Sequence, residues 1–147
     1  SLPFRRVDSL LTPAERQFFE VLQQAVAGRH LILAKVRLAD LFHIEAQGKD
    51  WWRAFGRVSN KHVDFVLVDR FTWAPELVIE LDDSSHRRPR RRQRDALVNR
   101  ICEAGGLPLL RVSVRRRWNA RELAEEVESR LGVLEAASAT GGDMATD

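Results

Sequence analysis

Residues 61–86 read KHVDFVLVDRFTWAPELVIELDDSSH. Residues 63–68 are β-branched and apolar on both faces, interrupted only by Asp64. Residues 77–82 have the same character, interrupted by Glu80 and Asp82. Strands apolar on both faces are central strands covered on each side. Residues 69–76, with Pro75 near the turn, join the two as an antiparallel hairpin. Side chains alternate along a strand, so Asp64 shares a face with Val66 and Val68, and Glu80 and Asp82 share one with Val78. If the numbers of facing residues sum to 144 or 146, Asp64 lies opposite Glu80 or Asp82. Facing Cβ atoms are then about 5 Å apart. An odd sum sends the acids to opposite faces, and the pattern leaves the register open.

Outward from this hairpin, the chain alternates helix and strand. Thr12-Pro13 with Glu15 has the form of a capping box, with proline at the first helical position. Phe18, Phe19, Leu22 and Val26 follow at helical spacing, which predicts a helix over 13–27 ended by Gly28. Residues 30–37, HLILAKVR, read as a strand. Residues 38–42 suit one helical turn, 48–50 a loop and 51–58 a short helix. On the other side Pro89 opens a helix over 90–104, stopped by Gly105-Gly106. A strand over 107–112 and a helix over 120–131 follow. Residues 1–11 read as an N-terminal extension and 132–147 as a disordered tail, leaving one domain over 12–131. The expected fold is α/β, a mixed central sheet of about four strands flanked by helices.

Composition narrows the function classes. With 147 residues and 44% hydrophobic content, the chain can build one real core. The single cysteine, Cys102, cannot form an internal disulfide. No apolar run approaches the roughly 18–20 residues of a membrane span, and SLPFRRVDSL has no apolar leader core. A cytoplasmic protein without membrane partners is the expectation. Of the 24 basic residues 21 are arginine, and between Arg87 and Arg121 twelve Arg meet only two acids, Asp95 and Glu103. A local basic excess of that size is an electrostatic footprint for a polyanion. There is no phosphate loop, GxGxxG or GxSxG pattern, which disfavours nucleotide kinases, dinucleotide enzymes and α/β-hydrolases.

In an even register, three carboxylates converge among apolar residues, and something must neutralise them. Mg²⁺ favours such oxygen ligands and water. Alternatively the acids pair with nearby arginines or sit in water at strand ends. His86, four residues after Asp82, is placed to move protons near neutral pH. Six of the eight residues 87–94 are arginine, at a helix start where cations oppose the helix dipole, so an anion is the natural partner. Trp51, Trp52 and Trp118 are candidates for stacking on bases or for core packing.

The segments LTPAERQFFEVL, KHVDFVLVD, LVIELDDSSH and RDALVNRICEAGGLPLLRV together resemble the restriction-endonuclease-like PD-(D/E)XK superfamily, over about residues 10–131. The likeness is greatest to the branch related to very-short-patch-repair endonucleases. The resemblance implies that Asp64 and Glu80 hold a catalytic Mg²⁺ (or Mn²⁺), that Glu15 assists from the first helix and that His86 handles protons. Asp82 stands where the superfamily usually has Lys, a cation that His86 or Lys61 would have to replace. Arg87, Arg88, Arg90, Arg91, Arg94 and Lys61 then grip a DNA backbone. The resulting expectation is a metal-dependent DNA endonuclease. The alternatives are a nuclease fold without turnover that only binds nucleic acid, and an interaction domain for an acidic protein.

Overall fold

The computed structural model describes residues 1–83, 88–115 and 117–145, with side chains for those up to residue 132. The order is α1 (Pro13–Val26), β1 (His30–Arg37), a 3₁₀ turn (Leu38–Asp40), α2 (Gly48–Val58), β2 (His62–Asp69), β3 (Pro75–Asp82), α3 (Pro89–Ala104), β4 (Leu109–Ser113) and α4 (Ala120–Ala145). The start of α1 is fixed by a reciprocal cap. The Glu15 amide donates to Thr12 Oγ1 at 3.2 Å, and the Thr12 amide donates to Glu15 Oε1 at 2.8 Å.

The four strands lie in the order β1-β2-β3-β4. The first three form an antiparallel meander, and β4 returns parallel to β3 after the α3 crossover. The β2–β3 register pairs Phe65 with Ile79 and Val66 with Val78. It is the even register, with sums of 144. Phe65, Leu67, Leu77 and Ile79 therefore face one side, where α1 (Phe18, Leu22) and α4 (Leu123, Val127, Leu131) cover them. Val66, Val68 and Val78 face the other side, under Leu38, Val58 of α2 and Val98 and Cys102 of α3. The carboxylates of Asp64, Glu80 and Asp82 are on this second side.

Several boundaries differ from the sequence reading. Residues 48–50 are not a loop but the first turn of α2, where Asp50 complements the helix dipole. The last strand begins at Leu109 rather than 107, because the Leu107 amide turns back to the Cys102 carbonyl at the end of α3. Helix α4 extends to Ala145, whereas the sequence reading ended it at residue 131. Among the residues whose side chains are described, Leu131 is the last of α4 in the core.

Phe18 has no solvent exposure and packs its ring against Phe65 at 5.6 Å and edge-on against Trp118 at 5.3 Å. Phe18→Ala is expected to lower unfolding free energy by about 3–5 kcal/mol in urea titration, with the denaturant slope unchanged.

Candidate functional site

The site forms where β2 and β3 part. Their paired register ends at Phe65 and Ile79, and beyond it side chains replace the backbone ladder. The Asp64 amide donates to Glu80 Oε2 at 3.1 Å, and the Leu81 amide donates to Asp64 Oδ2 at 2.8 Å. The two carboxylates are thus tied to each other's strand, Glu80 with no exposure and Asp64 half-buried.

Two arginines answer this negative charge. Arg94 of α3 donates through Nη1 to Glu80 Oε1 at 2.5 Å and to Asp95 Oδ1 at 3.0 Å, and through Nη2 to the His62 carbonyl at 2.6 Å. One guanidinium therefore ties α3 to β2 and β3. Arg111 stands beside Glu80 on β4. It reaches Asp82 Oδ1 at 3.3 Å and Asn99 Oδ1 at 2.9 Å. Its Nη1 also lies 3.5 Å from Asp95 Oδ1. Asp82 is thus an arginine partner.

Burial, then the charge of Asp64, push the Glu80 carboxyl above its ordinary value, while Arg94 pulls it back without cancelling the rise. Burial also works against the charge of Arg94, but Glu80 and Asp95 outweigh it and keep the guanidinium protonated. Burial and the nearby Glu80 push the Cys102 thiol up to about 11, so it is a core group and not a nucleophile.

The other expected residues fall into three groups. Glu15 belongs to the α1 layer across the sheet, and its Oε2 accepts from Lys35 Nζ at 2.6 Å. Burial opposes its ionisation, but the bonds from Lys35 and Thr12 prevail and hold it below its ordinary value. No hydrogen bond among the described residues joins Glu15 to the other carboxylates. Lys61 turns to the last turn of α2, donating to the Arg57 carbonyl at 2.5 Å. Arg88, Arg90, Arg91 and Arg94 line one cleft of about 520 Å³ with Asp64, Lys61 and His62. Of these, Arg94 is turned inward onto Glu80, whereas Arg88 and Arg90 are exposed. His86 and Arg87 lie outside the described residues.

Of the two arginine partners, Arg111 is not among the residues expected at the site, and Arg94 was expected there in another role. Arg94 stood among the phosphate-gripping arginines, yet it precedes the buried Val98 and Cys102 by four and eight residues. Helical periodicity alone places it on the inward stripe. Arg111 lies between the buried Leu110 and Val112, so strand alternation turns it toward the carboxylate face. Of the tryptophans, Trp118 packs on Phe18 and Trp51 stacks on Phe55 at 5.1 Å, while Trp52 remains exposed.

Among the described residues no group of three or more His, Cys, Asp or Glu side chains is arranged to hold a metal. The donor chemistry still suits Mg²⁺, which needs only one or two carboxylates and keeps several waters. Asp64 borders the cleft, and the bond it accepts from the Leu81 amide goes to Oδ2. Both Glu80 oxygens are engaged, so a cation would share Glu80 with Arg94.

Fold and site together define an α/β domain with paired carboxylates at the end of a mixed sheet and a basic cleft beside them. The chain belongs to the family described as "Protein of unknown function (DUF2726)", which matches residues 7–131, from before α1 into α4. No curated protein and no solved structure matches it. No helix among the described residues is long and apolar enough to cross a membrane.

Removing Arg94 leaves Glu80 buried without its cation. Because Glu80 already titrates above the ordinary 4.5, its ionisation opposes the fold, and stability falls as pH rises through its folded value. Arg94→Met is therefore expected to be tolerated best near pH 4 and to cost about 3–5 kcal/mol near pH 8 in denaturant titrations. A loss independent of pH would contradict the assignment of Arg94 as the compensating charge.

Proposed function

We propose that this domain is a divalent-metal-dependent DNA endonuclease of the nicking, repair or restriction type. The observation that carries the reading is the placement of Asp64 in one cleft with Arg88, Arg90 and Arg91, with the buried Glu80 carboxylate tied directly to the Asp64 backbone behind it. Such a cleft offers a carboxylate to a cation and guanidinium forks to phosphate oxygens along one wall.

Asp64 and Glu80 are the residues that would hold Mg²⁺ or Mn²⁺. When bound, the ion supplies an activated water and steadies charge on the scissile phosphate. The protein's own groups have separate tasks. Arg88 and Arg90 bind the backbone. Arg94 favours the ionised form of Glu80 and holds it in position, supplying from α3 the positive charge that Asp82 cannot provide. Arg111 engages Asp82 from β4. His86 is assigned the proton transfer on its sequence position alone. Glu15, engaged by Lys35, supports α1 rather than the reacting groups.

A second reading has its own observation. Arg94 already occupies Glu80 Oε1, and Arg111 already pairs with Asp82. Carboxylates neutralised by arginine suit a nuclease fold that binds nucleic acid without cutting it. A supercoiled-plasmid assay separates the two. The endonuclease reading expects nicking in Mg²⁺ or Mn²⁺, none in EDTA, and a loss of about a hundredfold or more in Asp64→Ala with the melting temperature little changed. DNA binding without cleavage in the unaltered protein would favour the binding module, and full cleavage by Asp64→Ala would overturn the site.

A further inference from the structure

The carboxylate cleft has a neighbour along α3. Arg88, Arg90, Arg91 and Arg94 line the first cleft. Leu97, Arg100, Ile101 and Ala104 of the same helix line a second, larger depression of about 760 Å³. The opposite wall is continuous too. Asn60, Lys61 and His62 border the first depression, and Ala54, Arg57 and Val58 of α2 border the second. From Arg90 to Ala104 this shared wall runs about 21 Å at 1.5 Å per residue.

The second depression has a different chemistry. Its floor is apolar and half-buried, with Phe42, Ile44, Leu97 and Ile101. Two exposed arginines, Arg57 and Arg100, stand on it from opposite helices, against the single acid Glu45. Neither guanidinium forms an ion pair with a described residue. Phe42 is seated by the absence of a side chain at Gly105, where a Cβ would come within 2.3 and 2.4 Å of two of its ring carbons. Gly105 has an ordinary backbone conformation (φ −83), so it is required there for space and not for its dihedrals.

An apolar floor bearing a half-exposed aromatic ring, with cations on both rims, is the combination that binds unpaired bases and their phosphates. A volume of this size takes ligand-sized groups and not a duplex. We infer that this groove receives the single-stranded arm of a DNA whose duplex part lies at the arginine cleft, which makes the substrate class a tailed, forked or flapped duplex. The inference rests on the endonuclease or DNA-binding reading of the neighbouring cleft and adds to it the structure of the substrate.

The test is fluorescence anisotropy of the full chain in EDTA, with a labelled blunt duplex and the same duplex carrying a tail of about ten nucleotides. The tailed form is expected to bind about tenfold tighter, the effect of one or two stacked bases. Arg57→Ala/Arg100→Ala and, separately, Phe42→Ala are expected to abolish that preference while leaving the blunt duplex unaffected. Arg88→Ala/Arg90→Ala is expected to weaken both DNAs alike. Equal binding of blunt and tailed duplex by the unaltered protein overturns the groove assignment and leaves the cleft reading standing. Equal weakening of both DNAs by Arg57→Ala/Arg100→Ala also overturns it, reducing these arginines to general charge. No binding of either DNA overturns both readings and turns attention to a protein or apolar anionic occupant.

Discussion

Glu80 is a carboxylate with no access to water, set in the middle of a sheet beside a second carboxylate. Placing an ion there costs several kcal/mol unless a counter-charge accompanies it. The counter-charge is Arg94, which arrives from a helix and not from the sheet. Much of the local architecture follows from that pairing. α3 must lie over β3 with its amino-terminal half at the carboxylate end. The other guanidinium nitrogen then reaches the His62 carbonyl, at the start of β2. The two strands can part there because Glu80 and Asp64 side chains take over the backbone bonds.

The arginine run at the start of α3 consequently divides by helical phase. Arg94 is consumed by the interior, and Arg91 lies 3.8 Å from Asp95. Arg88 and Arg90 face the cleft and remain exposed. A run that looks uniform in composition thus does two jobs, one holding a buried acid and the other adding positive charge to the already positive start of a helix. Arg111 repeats the first job on β4, with Asp82 and Asn99 as its partners.

How much of this was legible in the sequence depended on the physics of each element. Residues 13–26 announced themselves through Thr12, Pro13 and Glu15, whose cap is local and needs no tertiary context. Both central strands were legible because their β-branched runs have no helical reading. Their register was not, because both faces of β2 and β3 are covered. A slip of one residue would have exposed nothing, so the apolar pattern carried no preference. The inward turn of Arg94 was readable from its spacing to Val98 and Cys102, but composition drew attention to its charge and away from its phase. The pairing of Glu15 with Lys35 was not readable at all. It depends on Lys35 adopting a left-handed conformation (φ 57) between the paired residues Ala34 and Val36 of β1.

The central claim is that the Asp64–Glu80 pair still accepts a divalent cation although Arg94 shares Glu80. Its most direct test is Mn²⁺ binding to the full chain, followed by the electron paramagnetic resonance of the free ion. One site per chain that disappears in Asp64→Asn, with the fold retained by circular dichroism, is the predicted result. No bound Mn²⁺, or binding that is the same in Asp64→Asn, would contradict it.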